Sequence, residues 1–245
     1  MKRATWLLFV GLLLIGLAVP GCSKDSGKLT VATDATWPPF EYVNTATKAI
    51  EGFDIDVMTA IAQEAGLDIE FVNVAWDPLL TGVAQGTYDM AISSITITED
   101  RKKDMLFSDP YFAAGQIVVV GINESTITGP GNLAGVVGAQ IGTTGAFEIE
   151  KISGTTLKTY DDIGFAFQDL MNGQIVAVVC DNPVALGYVG ENPTKLKIVG
   201  DVFTDEYYGI ALAKRNADLV DDINKAIAAL RAKGTFDQLS DKWLK

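Results

Sequence analysis

The chain has no histidine and only two cysteines, Cys22 and Cys180. Without an imidazole there is no Ser/His/Asp or Cys/His catalytic arrangement, no histidine-assisted zinc site and no histidine pH switch. Basic residues are scarce as well, with 19 Lys and Arg against 31 Asp and Glu and a formal charge of −12. Nucleic acid, which needs a phosphate-neutralising surface, is not an expected partner. Beyond the first segment there is no apolar run long enough to span a membrane, no internal repeat and no low-complexity tract. What is present, 245 residues that are 48% hydrophobic and 20% charged, can bury a globular core. No residue pattern asks for a metal or a cofactor.

The amino terminus reads as an address. Lys2 and Arg3 precede the 14 uncharged residues from Trp6 to Val19, and Pro20, Gly21 and Cys22 follow. A charged start, a short apolar stretch and a small residue before the cut make residues 1–21 an export signal, since a spanning helix needs about 20 apolar residues. Val19-Pro20-Gly21-Cys22 resembles the lipobox of bacterial lipoproteins, which implies that Cys22 is lipidated and becomes the first mature residue. Residues 22–27 are then a polar tether, and Cys180 has no partner for an intramolecular disulfide.

From Leu29 onward, helical and strand periodicities alternate. Leu29 to Thr33 reads as a strand ending at Asp34, with a reversal at Trp37-Pro38-Pro39. Val57, Met58, Ile61, Ala62 and Ala65 recur at helical spacing, with Asp54 as the expected cap and Gly66 as the stop. Further strands are expected at 69–74, 90–92, 116–120, 136–139, 175–180 and 208–212. Helices are expected at 79–83, after Gly145, around 165–171, at 219–230 and at 236–244. This order predicts an α/β fold with mostly parallel sheets, in one large domain or two small lobes.

Several residues in this frame have chemistry to offer. Arg101 is preceded by 52 residues without a lysine or arginine. Its guanidinium fork matches a carboxylate plane, and hydroxyls and amides of Ser94 and Thr96 would complete a cradle. The same stretch also fits a surface helix start in which Glu99 and Asp100 pair with Arg101, Lys102 and Lys103. Gly138 to Gly145, containing Gln140, Thr143 and Thr144, joins a strand to a helix and offers free amides to a small anion, or is simply a tight connection. No lysine follows these glycines, so it is not a phosphate loop. Asp34 and Asp181 follow strands, where open α/β sheets place ligand-binding groups, and either suits an ammonium. Trp37 and Trp76, in loops after strands, serve as packing or as aromatic walls. Cys180 reads as a buried structural thiol.

Five stretches in order, Thr33-Asp34-Ala35-Thr36-Trp37-Pro38-Pro39-Phe40-Glu41, Gly52-Phe53-Asp54-Ile55-Asp56, Ile95-Thr96-Ile97-Thr98 with Arg101, Phe107-Ser108-Asp109-Pro110-Tyr111, and Gly142-Thr143-Thr144-Gly145, carry a resemblance over the whole mature chain. They are similar to the periplasmic solute-binding proteins that deliver polar amino acids to ABC importers, family 3 of the bacterial extracellular solute-binding proteins. That resemblance implies a type II periplasmic-binding-protein fold of two α/β lobes joined by two hinge crossings. The implied boundaries are 28–110 plus 209–245 for lobe 1, 116–203 for lobe 2, and 111–115 and 204–208 for the hinge strands. It further implies that Arg101, helped by Thr96 and Thr144, grips a ligand α-carboxylate and that Asp181 takes the α-ammonium. Asp34, Trp37, Trp76, Ser93, Ser94, Gln140 and Thr143 would surround the side chain.

A cationic side chain, arginine or lysine, fits Asp34 with two tryptophans; glutamine is the alternative, since relatives that take it share the aspartate and Gln140 can pair with an amide. The expected protein is a non-enzymatic monomer. It is attached to the membrane only through its lipid, on the periplasmic or outer face, and partnered by a free amino acid and an ABC permease. A different class, cyclohexadienyl dehydratases acting on prephenate or arogenate, shares this cleft but needs a proton donor that these residues do not clearly supply.

Overall fold

In the computed structural model, which describes residues 27–244, the expected alternation becomes two five-stranded sheets with helices on both faces. The chain runs β1 (Leu29–Thr33), β2 (Thr36–Trp37), β3 (Glu41–Val43), β4 (Ile50–Glu51), α1 (Phe53–Ala65), β5 (Ile69–Asn73), α2 (Trp76–Gln85), β6 (Met90–Ala91), β7 (Leu106–Phe107) and β8 (Phe112–Ala114). It continues through β9 (Gln116–Gly121), β10 (Gly135–Gln140), α3 (Thr144–Lys151), β11 (Thr155–Tyr160), α4 (Ile163–Met171), β12 (Ala177–Asp181), α5 (Asn182–Glu191) and β13 (Leu196–Val199). It then returns as β14 (Glu206–Tyr208), β15 (Ala211–Leu212), α6 (Ala217–Ala232) and α7 (Thr235–Trp243). The leader, Cys22 and most of the tether lie outside the described residues. Among the described residues no helix is long and apolar enough to cross a membrane.

The first sheet has the order β5-β1-β6-β15-β7, and the second β11-β10-β12-β9-β13. Four strands of each sheet run in the same direction; β15 and β9, on which the chain changes sheets, are antiparallel to their neighbours. Strand alternation explains the double-sided cores. Val31 faces α1 and α6 while the adjacent Ala32 faces Leu79 and Val83 of α2. In β12, Val178 and Cys180 pack on α4 and α5, and Ala177 and Val179 pack on α3. Met58, Ile61 and Ile223 are wholly buried, each contributing about 1.5–3 kcal/mol, so the α1–α6 contact anchors the first lobe.

Several local expectations need correction. Asp54 does not cap α1; Gly52 does, and Asp54 sits in the first turn with its carboxylate buried. Trp76 is the first residue of α2 rather than a loop residue, and Trp37 ends a two-residue strand. The strand expected at 208–212 is two strands, because Gly209 lets the chain leave β8 and join β6 and β7. Gly209 has room only for hydrogen there, as a Cβ would lie 2.7 Å from the Ile97 side chain. Helix α5 and strand β11 were not expected. Pro183 falls in the first turn of α5, where its missing N–H costs nothing, and the buried Val184 and Ala185 stand beside an exposed Leu186. Gly66 ends α1 in the left-handed conformation, as the spacing predicts.

Between the sheets, β8 and β14 form a separate antiparallel ribbon pairing Glu206 with Ala114 and Tyr208 with Phe112. Gly115 continues β8 and is pressed against the returning chain: a Cβ would lie 2.2 Å from the carbonyl oxygen of Thr204. Gly115 also exchanges hydrogen bonds with Asn182, donating to Oδ1 at 3.1 Å and accepting from N–H at 2.8 Å. Gly115→Ala will therefore destabilise the chain by about 1–3 kcal/mol. Calorimetry should show a melting temperature lower by roughly 2–4 °C per kcal/mol; an unchanged value would mean that the crossings do not meet this closely.

Candidate functional site

Strand carboxyl ends from both sheets meet at the ribbon, which is where open α/β sheets bind ligands. From the first lobe come Asp34 at the end of β1, Trp37, Trp76, Ser93 and Ser94 after β6, Thr96 and Arg101. From the second come Gln140 at the end of β10, Thr143 and Thr144 at the start of α3, and Asp181 at the end of β12. Direct hydrogen bonds cross between the two sets. Gln140 Nε2 donates to Asp34 Oδ2 at 2.9 Å, and its Oε1 accepts from Trp37 Nε1. Arg101 donates to the Thr96 carbonyl at 2.8 Å and across the cleft to the Gly142 carbonyl at 3.2 Å.

The two readings of the Arg101 segment turn out to be compatible. Lys102 pairs with Glu99 at 2.8 Å and Lys103 with Asp100 at 2.6 Å on the surface, which leaves Arg101 to turn inward. Its guanidinium carbon lies 5.2 Å from the centroid of Trp76. Among the described residues it makes no ion pair. Burial lowers its pKa to about 10, and the charges of Asp181 and Glu206 partly offset that. The indoles of Trp37 and Trp76 are nearly parallel, with centroids 6.4 Å apart and 13° between planes.

Three acids face this cation. Asp34 is buried, and desolvation raises its pKa to about 6 despite hydrogen bonds from Gln140 and Thr36. Asp181 accepts from Gln116 Nε2 and from the Tyr208 hydroxyl, each at 2.6 Å. Burial and then the nearby Glu206 charge raise it to about 7. Glu206 Oε2 accepts the hydroxyls of Thr96 at 2.7 Å and Thr144 at 2.8 Å, one from each lobe. Those two hydroxyl protons are thus taken up by the Glu206 carboxylate. The Thr143 hydroxyl donates to the Gln140 carbonyl at 2.7 Å and caps α3, so it shapes its own turn. Ser93 Oγ accepts from Asp34 N–H at 2.9 Å. Ser94 Oγ and Trp76 Nε1 are buried without a partner among the described residues.

Glu206, Gln116 and Tyr208 were not anticipated. Glu206 and Tyr208 stand two apart on β14 and point to the same side, a signal visible in the sequence only once the strand is known to cross between the lobes. A cavity of about 680 Å³ opens beside Arg101 and Glu206, bounded by Leu80 and Met105 of the first lobe and Phe147 and Lys151 of the second. Cys180 is a buried free thiol whose pKa is pushed up by burial, as expected of a structural residue.

Residues 29–245 match the bacterial extracellular solute-binding proteins, family 3. The chain belongs to that family. Among its relatives is the L-cystine-binding protein TcyJ of Escherichia coli, 34% identical over 223 residues, covering 90% of this chain and 84% of TcyJ. Among solved structures, an ancestral arginine-binding protein bound to arginine superposes with a TM-score of 0.85 at 42% identity, covering 89% of this chain and 99% of that one. The ancestral amino acid-binding protein AncCDT-1, a precursor of cyclohexadienyl dehydratase, gives 0.82 at 34% identity, with 89% and 96% covered.

The raised carboxyl pKa values set a sign for stability. A carboxyl near 6 or 7 in the folded state and near 4 when unfolded leaves the folded chain binding more protons, so stability falls as pH rises through that window. Carboxyls held low, such as Glu124 at about 2, stay ionised above pH 5 and do not oppose the trend. Calorimetry without ligand should give a higher melting temperature at pH 5 than at pH 8; the reverse order would contradict the burial of Asp34 and Asp181.

Proposed function

We propose that this chain captures a free L-amino acid with a cationic side chain, arginine or lysine, between its lobes and delivers it to an ABC importer. The observation that carries this reading is the half-buried guanidinium of Arg101, without an ion pair among the described residues, in a cleft that also holds the buried carboxyls of Asp181 and Asp34. A buried charge without a counter-ion is costly, and a zwitterion offsets both kinds at once. Its α-carboxylate takes the Arg101 fork, joined by amides at the start of α3, and its α-ammonium takes Asp181. A cationic tip reaches Asp34, while Gln140 steadies that carboxylate and the near-parallel indoles flank the chain. With three acids against one arginine, the cleft favours a ligand of net positive charge. Unpartnered Ser94 Oγ and Trp76 Nε1 are further groups that a polar ligand satisfies.

Lobe 1 is then 28–110 plus 209–245, lobe 2 is 116–203, and the hinge is 111–115 with 204–208. Pairing of β8 with β14 supports that division. A ligand that bridges Arg101 and Asp181 favours the shut form, which a permease can recognise. Export and lipidation at Cys22 hold the domain at the outer face of the membrane. Absence of histidine, together with relatives named for binding, supports transport over catalysis.

Melting shifts of residues 23–245 against the twenty amino acids, cystine, prephenate and arogenate test this directly. Arginine or lysine should give the largest shift. A shift with glutamine or cystine alone would move the ligand class, and product formed from the last two compounds would make the protein an enzyme. Arg101→Ala and Asp181→Asn should each weaken arginine by about 2–5 kcal/mol, thirtyfold or more by titration calorimetry. Asp34→Asn should weaken arginine far more than glutamine; equal losses would remove Asp34 as the reader of side-chain charge.

Affinity should also depend on pH. An ammonium at Asp181 needs the ionised carboxylate, so binding expels the proton held there below pH 7. Arginine should bind progressively more weakly from pH 8 to pH 5, with proton release visible as a dependence of the binding heat on buffer. A flat profile would rule out Asp181 as the ammonium partner.

A further inference from the structure

Behind the cleft, the first lobe buries a second pair of acids. Glu41 opens β3, Asp54 sits in the first turn of α1, and both are 0% exposed. One oxygen of each is accounted for: Glu41 Oε1 accepts from Ser93 Oγ at 3.2 Å. Asp54 Oδ2 accepts from Ser94 N–H and from the Tyr111 hydroxyl, each at 2.7 Å. The other two, Glu41 Oε2 and Asp54 Oδ1, are buried and have no donor among the described residues. The two acids are near enough for each to act on the titration of the other.

Two neighbouring carboxylates inside a water-excluded core repel, and leaving both ionised has no compensating interaction here. One proton between them changes the repulsion into a hydrogen bond and satisfies both orphaned oxygens. We propose that Glu41 is protonated, that it donates this proton to Asp54, and that the resulting carboxyl–carboxylate pair positions Ser93 and Ser94 for the cleft.

Titratable groups facing the pair are Asp34 from the end of β1, Tyr111 at the start of the ribbon, and Tyr208 of β14, and none of these is a cation. Burial pushes Glu41 well above the usual carboxylate range, and the Asp54 charge adds to it. Asp54 rises only to about 6, because Ser94, Tyr111 and Glu41 all donate to it. The positioning follows from the bonds. Ser94 has a left-handed backbone, φ +49°, which a residue with a Cβ adopts only under constraint, and its N–H is fixed by the Asp54 carboxylate. Ser93, donating to Glu41, turns a lone pair toward the N–H of Asp34. Glu41 and Asp54 are therefore positioning residues, acting on the site through the two serines.

The proton sharing rests on the burial of both acids, their two donor-less oxygens and their bonds to adjacent serines, whereas its effect on affinity rests on the amino-acid reading above. Infrared spectroscopy of the ligand-free protein at pH 8, where Asp34 and Asp181 are ionised, should show a protonated-carboxyl stretch. That stretch should shift in protein labelled with ¹³C-glutamate, a measurement that needs no variant. Glu41→Gln, whose amide can donate to Asp54 in place of the acid, should lose the band yet keep the Ser94 amide proton resonance and bind arginine within threefold of the parent. Glu41→Ala should shift that resonance and weaken arginine tenfold or more. Absence of the band, a band insensitive to the label, or equal behaviour of the two variants would overturn the proposal. If the parent chain failed to bind arginine, only the ligand reading would fall, because the band and the Ser94 resonance are read without ligand.

Discussion

The half-buried guanidinium of Arg101 organises the space between the lobes. Arg101 donates to a carbonyl of its own lobe and to the Gly142 carbonyl of the other, so it spans the cleft without an acidic side chain against it. Carbonyl dipoles keep the cation tolerable, but they do not neutralise it. This incomplete neutralisation is what the proposed binding of a ligand carboxylate rests on. Everything nearby serves to keep it so: Lys102 and Lys103 occupy the adjacent acids at the surface, and Glu206 is engaged by two threonines.

Acids in this lobe pair fall into two groups by how their charge is handled. Asp34 and Asp181 lie at strand ends and are raised by burial, and a cation from outside is the partner proposed for them. Glu41 and Asp54 lie one layer deeper and have no route to an outside cation, so a proton shared between them is the available remedy. The two groups are linked through Ser93, which accepts from Asp34 N–H and donates to Glu41. Asp34 is thereby tied to the buried Glu41 through one serine hydroxyl.

Glu206 plays a third role. Sitting on the returning crossing, it collects one hydroxyl from each lobe and a third, at 2.9 Å, from Thr204 two residues before it. Its carboxylate thus orients the threonines and deepens the negative potential around Asp181. A site built only from strand ends would lack this element, because Glu206 lies on the ribbon strand β14 and not at the end of a strand in either five-stranded sheet.

The sequence by itself determined the α/β alternation, the stop at Gly66 and the polar residues at the strand ends, because short-range periodicity and strand-end position are local properties. Arg101 stood out by isolation in a stretch without other cations, and Asp34 and Asp181 by their place after apolar runs. Helix α5 escaped because a proline in its first turn and mixed burial beyond it blur the pattern, and β14 and β15 read as one strand because only a change of sheet separates them. Asp54 looked like a helix cap, since its burial against Glu41, Ser94 and Tyr111 arises from residues far away in the chain. Tertiary structure alone decided which charges are left unpaired, for desolvation and neighbour charge depend on groups brought together from both lobes, and no spacing along one chain encodes them.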